Sequence, residues 1–293
     1  MSTSINNAFI TQYERDVHDI FQRNGSTLKP SVRFKSDVNG SVATFQKIGT
    51  GVATTKARHG TITPMNQTHT AVSTTLADFY AGDWVDKLDE AKINIDERQA
   101  IARGGAMALG RKVDSQILTE LDTTTQSTVT ITVTTSNQAR NGLLDMIEAM
   151  ITNDAYEPGN MYGVMSPHLW AVASTINEFA SSDYVGSDGL PFNTGAAVGM
   201  FKRWGQVLWT VHSGVPGVGT STSKVFVWNK NAIGYASGKV PANLAGTMGG
   251  ETSVGADITW HGERAAHFVN AVLIDDGGVI EGNLNDTSAI PVS

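Results

Sequence analysis

The sequence predicts an α+β chain of extended plan: a body around one long helix, a compact mixed module set into that body, and a β-hairpin ahead of the helix. Three observations carry this. Ala102, Ala106, Leu109, Val113 and Ile117 recur at spacings of three and four within Asn94 to Leu121, which places them on one helical face. At 1.5 Å rise per residue that helix is roughly 40 Å long. Two alternating runs, Ser41 to Ile48 and Gln67 to Leu76, flank a Gly/Thr-rich stretch holding Lys56, Arg58 and His59, and read as a long hairpin. From Asn137 onward, helical and strand patterns of ordinary length alternate.

The hairpin is thin in apolar residues: Val42, Phe45, Ile48, Val72 and Leu76. An isolated two-stranded hairpin is marginal in water, so something must cover it. A neighbouring copy of the same chain is the economical choice, because strand edges and half-apolar faces are natural docking surfaces. In the helix, Gly104, Gly105 and Gly110 each cost about 1 kcal/mol relative to Ala, which predicts close approach of another backbone.

Along the chain, Asn7 to Arg23 is expected to form an amphipathic helix with Phe9, Tyr13, Val17, Ile20 and Phe21 on one side, stopping at Asn24-Gly25. Pro30 opens an extended connection to the hairpin. Phe79, Tyr80 and Trp84 stand among acids and are expected beneath the long helix. Val129, Ile131 and Val133 alternate with threonines as a half-buried strand. In the module, Gln138 to Thr152 reads as a helix, Met161 to Met165 as a strand, His168 to Ala180 as one helix, and Gly205 to His212 and Lys224 to Trp228 as strands. After a Gly-rich run, Gly238 to Gly255, come strands at Ala256 to Trp260, Ala265 to Ile274 and Val279 to Glu281, expected to pack back on the long helix.

At 293 residues the chain can bury an ample core, and 17% charged residues make it globular and charge-poor. With no cysteine, disulfides, thiolate nucleophiles and Cys-ligated zinc are excluded. Neither a signal-peptide pattern at Met1 to Phe9 nor a membrane-length apolar run is present, so a chain that is neither secreted by signal peptide nor membrane-spanning is expected. The net charge of −7 is unevenly spread. Residues 1–75 hold eight Lys/Arg against four Asp/Glu, and the remainder thirteen against twenty-four. A basic arm and hairpin tip (Lys56, Arg58, His59) are thereby predicted to meet an acidic neighbouring body, for which Asp83, Asp86, Asp89 and Glu90 are the candidate receivers.

No catalytic constellation emerges. Gly214 to Thr220 lacks the lysine of a phosphate-binding loop, and neither the dinucleotide fingerprint, the Gly-x-Ser-x-Gly elbow nor the His-Glu-x-x-His helix occurs. His261, Glu263 and His267 fall on one face of a strand, but residues six apart span about 20 Å and share an ion only if the chain turns at Gly262. Asp275-Asp276-Gly277-Gly278 lacks the later ligands of a calcium loop and reads as a turn. The Asn-x-Ser/Thr triplets at Asn24, Asn39, Asn66 and Asn285 carry no meaning without secretion. Basic aromatic stripes for nucleic-acid recognition are missing, so any contact with nucleic acid is expected to be loose.

The segments ITQYERDVHDIFQRNGSTLKP, KARHGTITPMNQTHTAVSTTLADFYAGDWVDKLDEAKINID, ARGGAMALGRKVDSQIL and RAAHFVNAVLIDDGGVIE, in that order, resemble the major capsid proteins of tailed bacteriophages. The resemblance covers nearly the whole chain and is weakest from Ser181 to Gly250. It implies the Hong Kong 97-like fold, divided into an N-terminal arm (1–37), an extended loop (38–75), a peripheral domain (76–136 and 236–293) with spine helix 94–121, and an inserted axial domain (137–235). It further implies a structural subunit without enzymatic activity or cofactor. Pentamers and hexamers would close an icosahedral shell around double-stranded DNA, and no membrane is involved. The virion capsid would be assembled in the host bacterial cytoplasm, with portal and scaffolding or decoration proteins as partners. An encapsulin-type nanocompartment shell, or an α+β enzyme with an unrecognised site, are the alternatives.

Overall fold

The computed structural model describes residues 26–86, 97–126, 128–180, 201–238 and 260–285. The expected helix at Asn7 to Arg23 lies outside them, as does nearly all of the Gly-rich run and of the strand expected at Ala256 to Trp260. The chain forms two compact units, one of residues 1–26, 78–112 and 240–267, the other of residues 27–77, 113–239 and 268–293. Among the described residues no helix is long and apolar enough to cross a membrane.

The larger unit is organised by a mixed six-stranded sheet of order β5 (Val129–Thr132), β12 (Val279–Asn285), β9 (Lys224–Asn229), β6 (Met161–Met165), β8 (Val207–Val211), β7 (Lys202–Trp204). Helix α2 (Ser136–Thr152) lies on it. Thr135 caps this helix by accepting a hydrogen bond from the Gln138 N–H, and Ala139, Leu143, Met146, Ile147 and Met150, at helical spacing, are buried. They meet Ile131, Met161, Trp209, Val225, Val227, Ile280 and Leu284 from the sheet in one contiguous core. Central strands β9 and β6 are buried on both faces, which is why Val-Phe-Val-Trp and Met-Tyr-Gly-Val-Met read as unbroken apolar runs.

A second set of strands seats the hairpin. Strand β1 (Arg33–Val38) runs parallel to β10 (Ile233–Gly238), which pairs antiparallel with the end of β11 (Trp260–Leu273). Hairpin strands β2 (Val42–Ile48) and β3 (His69–Thr75) pair antiparallel from Val42↔Thr75 to Ile48↔His69. Their root is packed into a small cluster of Val38, Ala43, Phe45, Leu76, Ala236 and Ile274. The Phe45 ring takes the space above Gly234, where a Cβ would stand 2.8 Å from it.

In the smaller unit, β4 (Ala77–Asp86) borders β11. Helix α1 (Glu97–Leu121) begins within this unit, and a Cβ on Gly105 would lie 3.3 Å from the Ala81 carbonyl oxygen, the close backbone approach its glycine predicted. Lys112 stands over the Phe79 ring, 4.8 Å from its centre, whereas Tyr80, one residue on along a strand, is exposed rather than tucked beneath the helix. Of the predicted stripe on α1, Leu109, Val113 and Ile117 are buried and Ala106 is exposed.

Two expectations are corrected by local chemistry. The helix expected at His168 to Ala180 is two, α3 (Pro167–Ala173) and α4 (Asn177–Ala180). Between them, Ser174 and Thr175 donate their hydroxyls back to the carbonyls of Trp170 and Val172, competing with the helical ladder. The strand expected from Gly205 to His212 is present as β8 but begins only at Val207, because Gly205 and Gln206 both adopt positive φ and turn β7 into β8. The closing strand β12 joins β9 and β5 in the six-stranded sheet. The Asp276 carboxylate ties down the β11–β12 turn by accepting from the Thr124 and Thr125 hydroxyls, the Thr125 N–H and the Gln126 amide. Burial opposes its ionisation, yet these donors outweigh it and hold the carboxyl below the usual carboxylate range.

Candidate assembly interface

Beyond the ladder, residues 49–68 carry the hairpin outward on few internal bonds: Gly49 N–H to Thr68 O at 2.8 Å, the Thr54 hydroxyl to Thr63 O at 3.4 Å, and a tip turn closed by Gly60 N–H to Ala57 O at 3.0 Å. Lys56, Arg58 and His59 come together at this turn, all exposed. Apolar side chains are exposed along the same projection: Ile48 59%, Val52 76%, Ile62 76% and Met65 55%. Fully exposing such side chains forgoes about 1.5–3 kcal/mol apiece relative to burial. All four stand on one projection of the chain. Of the proposed acidic receivers, Asp83 and Asp86 lie on the backbone of β4, and Asp89 and Glu90 lie outside the described residues.

The root of the finger is built far more tightly than its shaft. Phe45 faces Val72 across the strands and is buried with Ala43, while Val42 and Ile48 face outward. The Asn270 amide donates to the Thr74 hydroxyl at 3.0 Å and to Thr75 O at 2.9 Å, and the Lys47 ammonium meets Asp275 at 2.7 Å. Side chains of β11 and its following turn thus fix the direction in which the hairpin leaves the body.

A second anchor, which sequence reasoning missed, holds the start of the described chain. Asp114 of α1 is fully buried. Its carboxylate accepts from the Thr27 N–H at 3.1 Å, the Thr27 hydroxyl at 3.0 Å and the Leu28 N–H at 3.1 Å. His212 Nε2 lies 3.1 Å away, and its Nδ1 accepts from the Gly214 N–H at 2.8 Å. Because a backbone N–H only donates, the His212 proton sits on Nε2 and is given to Asp114. Nearby, the Tyr235 phenol is pushed up, first by burial and then by the Asp114 charge. Just beyond, the Trp228 indole donates to Ser31 O at 3.0 Å and Leu28 is wholly buried. The available signal was a lone acid beside Val113 and between Gly110 and Ile117 on an otherwise apolar helix face.

His261, Glu263 and His267 all lie on β11, which is continuous from Trp260 to Leu273, so no turn at Gly262 gathers them. The Gly214 to Thr220 segment is a loop that Thr220 closes on Gly217 O, with Gly217 and Gly219 at positive φ.

Comparison with known proteins places the chain in a family. The family model described as phage capsid protein matches residues 5–283. The chain belongs to the phage capsid protein family. It is a major capsid protein, and the family match favours this over a nanocompartment shell. Its fold is similar to that of the capsid of cyanophage P-SCSP1u, with a TM-score of 0.70 at 12% identity over 98% of this chain and 96% of that one. It is likewise similar to the capsid of Ralstonia phage GP4 (TM-score 0.67, 9% identity, 97% of each chain) and to a Mycobacterium phage Che8 structure (TM-score 0.65, 16% identity, 94% and 97%). No curated protein matches the sequence significantly.

Proposed function

We propose that this capsid protein assembles as pentamers and hexamers into an icosahedral shell around double-stranded DNA, and that the hairpin of residues 38–75 is its extended loop, laid over a neighbouring copy. The projecting finger with four exposed apolar side chains and a basic tip carries this reading. In the Hong Kong 97-like plan, residues 1–37 serve as the arm, 94–121 as the spine helix and 137–235 as the axial domain. The peripheral domain is drawn from 76–136 and 236–293, although strands β5 and β12 share a sheet with the axial strands. Lys56, Arg58 and His59 face Asp83, Asp86, Asp89 and Glu90 of the adjacent copy. Single surface pairs are worth about 0–1 kcal/mol, so closure depends on many repeats and on covering the apolar shaft. A portal, with scaffolding or decoration proteins, completes the partner set. Assembly takes place in the host bacterial cytoplasm, contact with DNA is loose, and the role is structural rather than enzymatic.

Negative-stain electron microscopy with sedimentation velocity, on the purified protein alone and with infected-cell extract, tests this. Rings of five and six or closed shells are expected. A homogeneous small species under both conditions would overturn it.

A further inference from the structure

The link between β1 and β2 is exposed and contains Asn39-Gly40, and we propose that Asn39 is a site of spontaneous deamidation and isoaspartate formation built into the root of the hairpin. The reaction needs the Gly40 nitrogen to reach the Asn39 side-chain carbonyl. Three features ordinarily prevent this in a folded protein: a hydrogen bond that holds the nitrogen, a following Cβ that blocks approach, and a regular element that locks the backbone. None operates here. Gly40 has no Cβ, and a Cβ placed there would meet nothing within 4 Å. Its φ of +93° is a conformation only glycine adopts freely. Asn39 and Gly40 are exposed and lie outside either strand, and among the described residues no acceptor takes the Gly40 N–H. The backbone is already irregular beside them, with Asp37 at φ +56° and a register shift between Lys35 and Val38.

The chain supplies its own control. Asn141-Gly142 has the same two residues, but it sits in α2, where the Gly142 nitrogen belongs to the helical ladder and a Cβ on Gly142 would stand 3.0 Å from Ile131. That site reacts only after local opening.

In the step proposed, the Gly40 nitrogen gives up its proton and bonds to Asn39 Cγ, and the Cγ–Nδ2 bond breaks with loss of ammonia. Water then opens the cyclic imide. Attack at Cγ leaves aspartate, and attack at the main-chain carbonyl leaves isoaspartate, so no oxidant or cofactor is required. Either product adds a negative charge next to Asp37. The isoaspartyl form also inserts a methylene into the backbone between Val38 and Ala43, both buried in the cluster that seats the hairpin. If the hairpin is the inter-subunit element proposed above, the change ages its mounting; the modification itself does not depend on that reading.

The test is peptide mapping by mass spectrometry of the full-length protein incubated at neutral and mildly alkaline pH, natively and in urea, with isoaspartate read by enzymatic carboxyl methylation. Native conversion at Asn39 is expected to be at least about tenfold faster than at Asn141, which corresponds to about 1.4 kcal/mol of helix opening. In urea the two rates should converge, and Asn39→Gln should silence the Ser36–Lys47 peptide. Native rates that are equally slow at both sites, or a gap that survives urea, would overturn the proposal whatever the protein assembles into.

Discussion

The six-stranded sheet and the hairpin are both β-structure, yet one buries its apolar side chains within the chain and the other leaves most of them exposed. In the sheet, β9 shows burial on every residue from Val225 to Trp228, and α2 closes one face. In the hairpin only Ala43, Phe45 and Thr74 are buried, all near the root, and the shaft shows Ile48, Val52, Ile62 and Met65 to water. The sheet therefore holds much of the buried apolar area of the described residues, and the hairpin is the region to which the proposed function assigns contact with a neighbouring copy. This separation of duties is what makes the two regions testable independently.

The largest effect on the folded chain is expected in the sheet. Trp209 is fully buried, lies against Gly163 and donates its indole N–H to Trp204 O at 3.1 Å. Trp209→Ala should cost about 3–5 kcal/mol in urea unfolding. A loss below 1 kcal/mol would mean that the sheet is not the stabilising region.

Asp114→Ala comes next. It strands the donors of Thr27, Leu28 and His212 in a buried site, and a loss of about 2–4 kcal/mol is expected. Limited proteolysis should show early cutting near Thr27 while the β6–β9 region stays protected. Uniform loss of protection would show that the anchor belongs to the global core instead.

Lys202→Met should act in the opposite direction. Burial pushes this ammonium down to about 8, although it stands 4.3 Å from the centre of the Phe179 ring. The folded state therefore binds its proton less well than the unfolded state. The destabilisation is full below pH about 8, declines as pH rises, and is gone above the ordinary lysine value. The variant should gain about 1–3 kcal/mol at neutral pH and lose the rise in stability between pH 8 and about 10.5. A wild-type stability curve that is flat across that window would sink the assignment.

The smallest change in folding is expected at the hairpin tip. Lys56→Glu with Arg58→Glu should shift unfolding by no more than about 0.5 kcal/mol, since both are exposed. Shell formation followed by light scattering should nevertheless be slowed strongly at low salt, with part of the defect vanishing as salt screens the charges. A variant that assembles at the wild-type rate would remove these residues from the interface.

What could be read from the sequence follows from the range of each signal. The helix at 136–152, the strand at 161–165 and the hairpin pairing near residues 42–48 and 69–75 were legible, because periodic burial repeats within a few residues. The family resemblance was legible because many weak patterns fall in order along the chain. The break between α3 and α4 was not, since the apolar period continues through Ser174 and Thr175 while their hydroxyls take the carbonyls. The turn at Gly205-Gln206 lacked an Asn-Gly signature, and the Asp114 anchor joins residues 87 and 98 positions apart, a separation that no local pattern encodes.

By itself, then, the sequence determined the types of most elements, the polarity of the hairpin and the family, all of which rest on local periodicity and on the order of segments. Only the tertiary structure decided which strands share a sheet, that β12 returns between β5 and β9, and that one buried carboxylate holds residues 27 and 28 to the long helix. Those choices depend on which distant groups satisfy one another's hydrogen bonds and fill one another's space, and that is settled only when the whole chain is packed.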